Sequence, residues 1–288
     1  MSKLSIIIVT YNSSKHIFDC LESIFQYNDI NDGLEVIVVD NHSEHKEEMF
    51  AKIRDLYCDK VILVDSGKNG GYGYGNNVGV KIADADIVII MNPDVRFVAP
   101  VFKGILKVFK DPNLGMAGVD FIDGSSPYYF KPEHSTFCHA IMIHAYLRIR
   151  RYDPEKMYMS GSLLIFNRKS FIEAGMFDEN IFMYYEEPDI TNRILKLGKD
   201  VKWLKDTKVQ HLAHGRKFNQ KLTDVGYASF EYYCKKYGLN AKKHYQRYVR
   251  TLKIKIFAAK IIGAKEHLEL FQKTLDSLEN HIKKMEAV

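Results

Sequence analysis

The chain has 288 residues, 46% hydrophobic and 27% charged, which is ordinary globular composition and enough for one large domain or a domain with an appendage. Its formal net charge is +5, and the basic residues thicken after Lys196 and again through residues 235–260. That asymmetry points to an anionic partner, membrane lipid or a polyphosphate substrate, and nothing in the sequence resembles a nucleic-acid module with a fingerprint of its own.

The first buried strand is Ser5-Ile-Ile-Ile-Val9. Residues 6–9 are too short for a signal-peptide core, and no apolar run reaches 18 residues. Cys20, Cys58, Cys138 and Cys234 lie far apart without a zinc-ligand spacing. The expectation is a cytoplasmic protein with reduced thiols, neither secreted by that route nor membrane-spanning. Thr10-Tyr-Asn-Ser-Ser14 follows as a polar loop, and Ser13 or Ser14 caps a helix whose apolar face is Ile17, Leu21, Ile24 and Phe25. Val36-Ile-Val-Val39 is a second buried strand ending in Asp40-Asn41. A helix covers residues 44–57, and Val61-Ile-Leu-Val64 is a third strand. Asp40 is placed to accept from a ribose or a base edge, or is a solvated strand-end carboxylate or a helix cap.

Next comes Gly67-Lys-Asn-Gly-Gly-Tyr-Gly-Tyr-Gly-Asn-Asn-Val-Gly79, expected to lead into a helix ending near Ala83. It matches neither the dinucleotide pattern nor the P-loop. Its glycines suit close backbone approach to a ligand, with the amides of Asn76 and Asn77 as further donors. The apolar run of residues 87–91 then stops at Asn92-Pro-Asp94. It has the character of a strand buried on both faces, with Pro93 marking its end. Asp94 therefore leaves the sheet at its carboxyl edge, where open α/β sheets bind ligands and where a carboxylate can hold a hard cation against phosphate. Plain turn chemistry is the competing reading.

A helix is expected over residues 100–110 and a strand over residues 116–121. Residues 125–152 form a long irregular segment with His134, His139 and His144, none at a ligand spacing. Tyr158-Met-Ser-Gly-Ser-Leu-Leu-Ile-Phe166 is a strand entered through small residues, followed by a short helix with a glycine stop at Gly175. Glu186, Glu187 and Asp189 then crowd the start of a helix that carries Pro188 in its first turn and ends at Gly198. Acids there suit the helix dipole, but crowded carboxylates also raise one another's pKa, and an oriented carboxylate is what a general base needs. Val201-Lys-Trp-Leu204 is a further strand. Beyond it, His211 or its rival His214 completes a metal site with Asp94, binds phosphate, or is structural.

Strands alternating with helices argue for an α/β layer with a mostly parallel sheet and right-handed crossovers. The ordered motifs resemble the family 2 glycosyltransferases of the GT-A fold, especially the bacterial rhamnosyltransferase-like branch. They are Ser5-Ile-Ile-Ile-Val-Thr-Tyr-Asn12, Val38-Val-Asp-Asn41, Asn69-Gly-Gly-Tyr-Gly-Tyr-Gly-Asn-Asn77, Asn92-Pro-Asp94, Gly161-Ser162 and Glu186-Glu-Pro-Asp189. The resemblance implies a mixed, mostly parallel sheet with helices on both faces over residues 1–216. It implies that Thr10, Tyr11, Asn12, Asp40 and Asn41 hold the nucleoside of an activated sugar, with Gly71, Tyr72, Asn76 and Asn92 facing the donor. Asp94 would bind Mg²⁺ or Mn²⁺ and the diphosphate, with His211 nearby. Glu187 would be the catalytic base, with Asp189 as a second carboxylate near the acceptor and Gly161, Ser162 and Glu186 lining the acceptor side. Asn92 and Glu187 depart from the aspartates usual at these two positions.

The implied reaction is an inverting, metal-assisted glycosyl transfer from a UDP- or dTDP-sugar to a glycan or polyisoprenoid-linked acceptor, in bacterial surface polysaccharide assembly. Closure of residues 125–152, or of the segment after His214, over the donor is expected. A non-catalytic nucleotide-sugar sensor and a nucleotidyltransferase are the competing classes. Residues 217–288 form a separate basic, amphipathic helical region. Tyr245, Tyr248, Val249, Leu252 and Ile256 share one face that suits an anionic bilayer or the catalytic domain. Leu268, Phe271, Leu275, Leu278, Ile282 and Met285 step by three and four, as a seam that pairs two subunits or packs within one.

Overall fold

A computed structural model describes residues 3–134, 143, 145–212 and 218–287. His139, His144 and His214 lie outside the described residues. The chain divides into two compact units. One comprises Met1–Tyr129 and Arg150–Ala213, the other Phe130–Ile149 and His214–Val288.

The first unit is built on an eight-stranded sheet of order β3-β2-β1-β4-β9-β6-β10-β5. Its strands are β1 (Leu4–Thr10), β2 (Leu34–Asp40), β3 (Ile62–Asp65), β4 (Ile87–Met91), β5 (Val95–Phe97), β6 (Leu114–Phe121), β9 (Leu163–Asn167) and β10 (Asp200–His211). A separate two-stranded ladder joins β7 (Tyr128–Phe130) and β8 (Met157–Met159). In the large sheet β1, β2, β3 and β4 run parallel, as do β6 and β10, while β9 and β5 run against their neighbours. The central strands are apolar on both faces because helices cover both, and Ile6, Ile7, Ile8, Val88, Ile89 and Ile90 are fully buried. Helix α1 (Ser14–Gln26) lays Ile17, Leu21 and Ile24 into this core as its spacing predicts.

Register fixes which loops meet. Thr10 pairs with Asp40, and Ile8 pairs with Met91, so all three strands release their polar ends on one edge. Met91 also pairs with Leu163 of the antiparallel β9, which brings the start of β9 to that edge. His211 pairs with Val95, so the end of β10 lies beside Asp94.

Four elements differ from the sequence expectation. The glycine stretch is not a loop before a helix. It is the helix itself, α3 (Gly71–Ile82). A Cβ on Gly75 would come within 2.8 Å of Val9, and one on Gly79 within 2.5 Å of Ile7, so these glycines let α3 sit on β1. The strand expected over residues 158–166 is broken at residues 160–162 into β8 and β9. Residues 95–97, assigned to no element from sequence, form β5, made possible because β10 continues to His211 rather than stopping near Leu204. The segment after Ile122, expected to be irregular, contains β7, whose first residue Tyr128 is fully buried.

The second unit contains α7 (Gln220–Lys236), α8 (Ala241–Ile261) and α9 (Lys265–Glu286), with α2 (Lys46–Tyr57), α4 (Phe102–Val108), α5 (Arg168–Glu173) and α6 (Glu186–Lys196) preceding them in the first. Asn219 and Asn240 cap α7 and α8 by accepting from Leu222 N and Lys243 N. Helices α8 and α9 pack as an antiparallel hairpin tied by Lys242–Glu286 at 2.7 Å and Lys253–Glu279 at 2.9 Å. Tyr245, Leu252 and Ile256 of the face expected on α8 are buried, as are Leu275 and Leu278 of the α9 seam, whereas Tyr248 is exposed.

Candidate functional site

The described residues to which the sequence assigned a donor, acceptor, catalytic or metal role all lie in the first unit. At the ends of β1 and β2 the polar groups are mutually satisfied. Thr10 Oγ1 donates to Asp40 Oδ2 at 2.9 Å. Ser43 donates to Asp40 through its backbone N–H and its hydroxyl, both at 2.7 Å. Asp40 is fully buried, so its carboxylate holds this loop rather than projecting from it. Asn12 N donates to Ser43 Oγ at 2.8 Å, and Asn12 Oδ1 accepts from Glu44 N at 3.2 Å. Asn41 Nδ2 donates to Gly71 O at 2.8 Å, and its Oδ1 accepts from Ser66, which ties the loop to the start of α3. Tyr11 is left exposed. Beside it a cavity of about 230 Å³ is lined by Asn12, Ser13, Ser14, Ser43, Glu44 and His45.

The other part of the site gathers around residues 160–162, the break between β8 and β9. Asn92 N donates to Ser162 O at 3.0 Å, which sets the turn of Asn92-Pro93-Asp94 against this loop. Ser162 Oγ lies 3.4 Å from His211 Nε2, and the same imidazole nitrogen lies 3.6 Å from Asp94 Oδ2. Leu212 N donates to Asp94 O at 2.9 Å, so β10 holds the backbone of the turn as well. Asp94 Oδ1 is buried without a hydrogen-bond partner. Burial pushes the Asp94 carboxyl up, but hydrogen bonding to His211 and its charge outweigh this and hold it below the usual carboxylate range. A carboxylate oxygen and an imidazole nitrogen at one edge are apt donors for Mg²⁺ or Mn²⁺. Among the described residues no group of three or more His, Cys, Asp or Glu side chains converges as a ligand set. A cation here would draw its other ligands from phosphate and water, as Mg²⁺ commonly does.

One residue away, Gly161 meets the acidic start of α6. A Cβ on Gly161 would stand 2.2 Å from Glu187 Oε1, so only glycine admits the carboxylate at this distance. Tyr72 Oη donates to Gly161 O at 2.7 Å. Burial, then the charges of Glu187 and Glu186, push the Tyr72 phenol far above its ordinary range, and Tyr158 is raised in the same way. Both phenols therefore stay protonated beside Glu187. Glu186 is buried with Oε1 unpartnered, and burial followed by the charge of Glu187 pushes its carboxyl well above the usual range. Asn76 donates to Tyr72 O at 2.9 Å while its own buried Oδ1 has no partner.

Two features set the approach of these acids. Tyr184 and Tyr185 have φ of 70° and 71°, left-handed values that cost bulky residues about 1–3 kcal/mol each. They turn the chain so that α6 begins at Glu186. Asp189 is fully buried, and Arg193 one turn on donates to it from Nε at 3.0 Å and from Nη2 at 2.6 Å. That ion pair anchors the helix start.

The fold thus brings Asp94, His211, Gly161, Ser162, Glu187, Glu186 and Tyr72 into one neighbourhood, because Gly161 borders Glu187 and the next residue, Ser162, borders His211, which faces Asp94. It sets Asp189 beneath, facing Arg193, and Asn77 aside, where its amide clamps Phe177. Ser43, Tyr158 and Arg193 are site neighbours that the sequence reading missed. Only Arg193 carried a signal, its four-residue spacing from Asp189.

The model of the family described as Glycosyl transferase family 2 matches residues 5–175. The Low-salt glycan biosynthesis hexosyltransferase Agl10 of Haloferax volcanii is 25% identical over 206 residues, 67% of this chain and 62% of that protein, so less than two thirds of that relative is spanned. The N-acetylglucosaminyl-diphospho-decaprenol L-rhamnosyltransferase of Mycobacterium tuberculosis is 27% identical over 223 residues, 68% of this chain and 71% of that protein. The solved mannosyltransferase PcManGT from Pyrobaculum calidifontis, in complex with GDP-Man and Mn²⁺, superposes with a TM-score of 0.59 at 18% identity, covering 99% of this chain and 75% of that one. At that identity the likeness speaks for the fold, which is GT-A.

Proposed function

The chain belongs to glycosyl transferase family 2, and we propose that it moves a sugar from a nucleoside-diphosphate donor to a hydroxyl of a glycan or polyisoprenoid-linked acceptor, in the assembly of a cell-surface polysaccharide. The observation that carries this reading is the meeting of Asp94–His211 and Glu187 at Gly161-Ser162. One acid pairs with an imidazole where phosphate would lie, and the other stands one residue away where an acceptor hydroxyl would enter.

In this mechanism the loop of Thr10, Tyr11, Asn12 and Ser43 receives the nucleoside, with Asp40 and Asn41 as positioning residues that hold the loop in shape. Asp94 and His211 would hold Mg²⁺ or Mn²⁺, which when bound supplies positive charge against the departing diphosphate. Asn92 sets the Asp94 turn against Ser162. Glu187 Oε accepts the proton of the acceptor hydroxyl as its oxygen forms a bond to the anomeric carbon and the bond to the diphosphate breaks. A single displacement inverts that carbon, and no protein nucleophile takes part. Protonated Tyr72 donates to Gly161 O and so fixes the loop beside Glu187. Glu186, whose carboxyl is pushed up by burial and then by the charge of Glu187, is the second acid on the acceptor side. Asp189 positions the helix through Arg193. The similarity to a rhamnosyltransferase named for an N-acetylglucosaminyl-diphospho-decaprenol supports the polyisoprenoid-linked acceptor, and the donor proposed is a UDP- or dTDP-sugar.

The test is a screen of nucleotide-sugars with Mg²⁺ or Mn²⁺, following release of nucleoside diphosphate with and without lipid-linked and free glycan acceptors. Acceptor-dependent release with a product of inverted anomeric configuration is expected. Tight donor binding without any release would mean a sensor instead, and release of pyrophosphate a nucleotidyltransferase.

A further inference from the structure

The far end of α8 carries an apolar stripe that lies outside the packing of the helices. Ile254, Phe257, Ile261 and Ile262 are between 48% and 76% exposed. Residues 254, 257 and 261 follow helical spacing on one side, opposite the buried Tyr245, Leu252, Ile256 and Ala259. The face that meets solvent is therefore not the apolar face evident from sequence, which is used up in packing. Ile262 also joins Ala258, Ala259, Ala264 and Phe271 around an open apolar hollow beside the turn into α9. Contiguous exposed apolar surface of this kind marks an interaction site.

Charge identifies the partner. Residues 232–265 hold ten Lys and Arg and no Asp or Glu. Toward the start of α8 the exposed stripe continues as Arg250, Arg247 and Lys243. By helical spacing Lys253 and Lys260 flank it on one side and Lys255 on the other. From α9, Glu279 answers Lys253 and Glu286 answers Lys242, while Glu269 pairs with Lys273 of its own helix and Lys255 lies over the Phe271 ring. Glu266 adds one acid at the turn, and the end stays strongly basic. Two copies of such a surface would repel one another, which argues against self-pairing here.

We propose that this end of the hairpin docks the protein on an anionic lipid bilayer. Phe257, Ile261 and Ile262 enter the acyl boundary, and Arg247, Arg250, Lys255 and Lys260 meet the headgroups. Residues 254–262 span roughly 12 Å along the helix axis at 1.5 Å per residue, and a helix lying in the interface plane buries such an apolar face about 5–10 Å deep. Among the described residues no helix is long and apolar enough to cross a membrane, so the contact is made from one side. The lysines flanking the stripe can lay their stems along it while their ammonium groups reach phosphate.

Flotation of the full chain with vesicles tests this, using phosphatidylcholine alone and phosphatidylcholine mixed with phosphatidylglycerol. The wild type is expected to float with the mixed vesicles, weakly with the neutral ones, and less as salt rises. Each apolar side chain removed weakens binding about tenfold, so the triple variant Phe257→Ser, Ile261→Ser, Ile262→Ser should bind about a thousandfold more weakly, with an unchanged circular dichroism spectrum and melting temperature. Lys255→Glu with Lys260→Glu should lose affinity for the mixed vesicles alone, about fivefold or more per position. A wild type that stays with neither vesicle, or a triple variant that floats like the wild type, overturns the proposal. So does a wild-type dimer in analytical ultracentrifugation that the triple variant abolishes without a change in flotation, which would give the stripe to a second copy. Vesicle binding is read with neither donor nor acceptor present, so its failure leaves the transfer reaction standing.

Discussion

The polar cluster around Thr10 and Asp40 and the cluster between Asp94 and Glu187 both draw on strand ends of one sheet, yet their polar atoms end differently. In the first, Asp40 accepts from Thr10 and twice from Ser43, and both ends of the Asn41 amide are engaged. In the second, buried oxygens of Asp94, Glu186 and Asn76 have no hydrogen-bond partner. Folding alone would not leave them so, because an unmet buried polar group costs about 1–3 kcal/mol. The difference suggests that the first half is scaffold, while the second holds polar atoms that a ligand could satisfy; Trp203 Nε1, outside the site, is the one other buried side-chain atom without a partner among the described residues.

Substitutions should therefore separate the two halves, moving turnover in one and stability in the other. The largest effect is expected for Glu187→Gln, which should lower transfer to an acceptor by about 10²–10⁴-fold while the melting temperature and donor affinity stay put. Normal transfer would remove Glu187 as the base. Asp40→Ala strips three donors of their acceptor and should cost about 3 kcal/mol in denaturant unfolding. If it changes turnover alone, the satisfied rim is not scaffold. Gly161→Ala puts a methyl group where Glu187 Oε1 now lies, and a shift of that size should cut turnover about a hundredfold with little loss of stability. Asp94→Ala should weaken metal-dependent donor binding about tenfold or more, measured by calorimetry with and without Mn²⁺. Unchanged affinity would send the cation elsewhere.

The smallest effect is a slope with pH. Glu186 titrates near 4.3 in an unfolded chain and well above that in the fold, through burial and then the charges of Glu187 and Asp189. Above about pH 4.3 the folded state holds a proton that the unfolded state has lost. Stability is therefore full below that pH and falls as pH rises toward the folded value. Glu186→Gln has no such slope. The melting temperature of the variant should gain on the wild type as pH climbs from about 4.3, and a constant difference would show Glu186 ionised in the fold.

What was legible in the sequence was the order of strand ends. Runs such as residues 5–9 and 87–91 are apolar on both faces because helices cover both, and each stops in polar residues on the same edge. What was not legible depended on partners far along the chain. The helix α3 was obscured because glycine disfavours helices, and only the closeness of Ile7 and Val9 explains why glycine is needed there. The three residues of β5 have no pattern of their own and exist because β10 reaches His211 to pair with them. The break at residues 160–162 looks like strand in a sequence of small residues. It is a loop because Gly161 must admit Glu187 and Ser162 must face His211. Of the α8 face expected to meet a bilayer or the catalytic domain, Tyr245, Leu252 and Ile256 are buried, and Tyr245 packs on Tyr227 of α7 and His281 of α9, partners outside α8 itself.

The most direct measurement is the anomalous signal of Mn²⁺ in crystals grown with a nucleoside diphosphate. The ion should lie within coordination distance of Asp94 and His211, with the terminal phosphate directed toward Gly161 and Ser162. An ion and phosphate held elsewhere, with Asp94 untouched, would contradict the account.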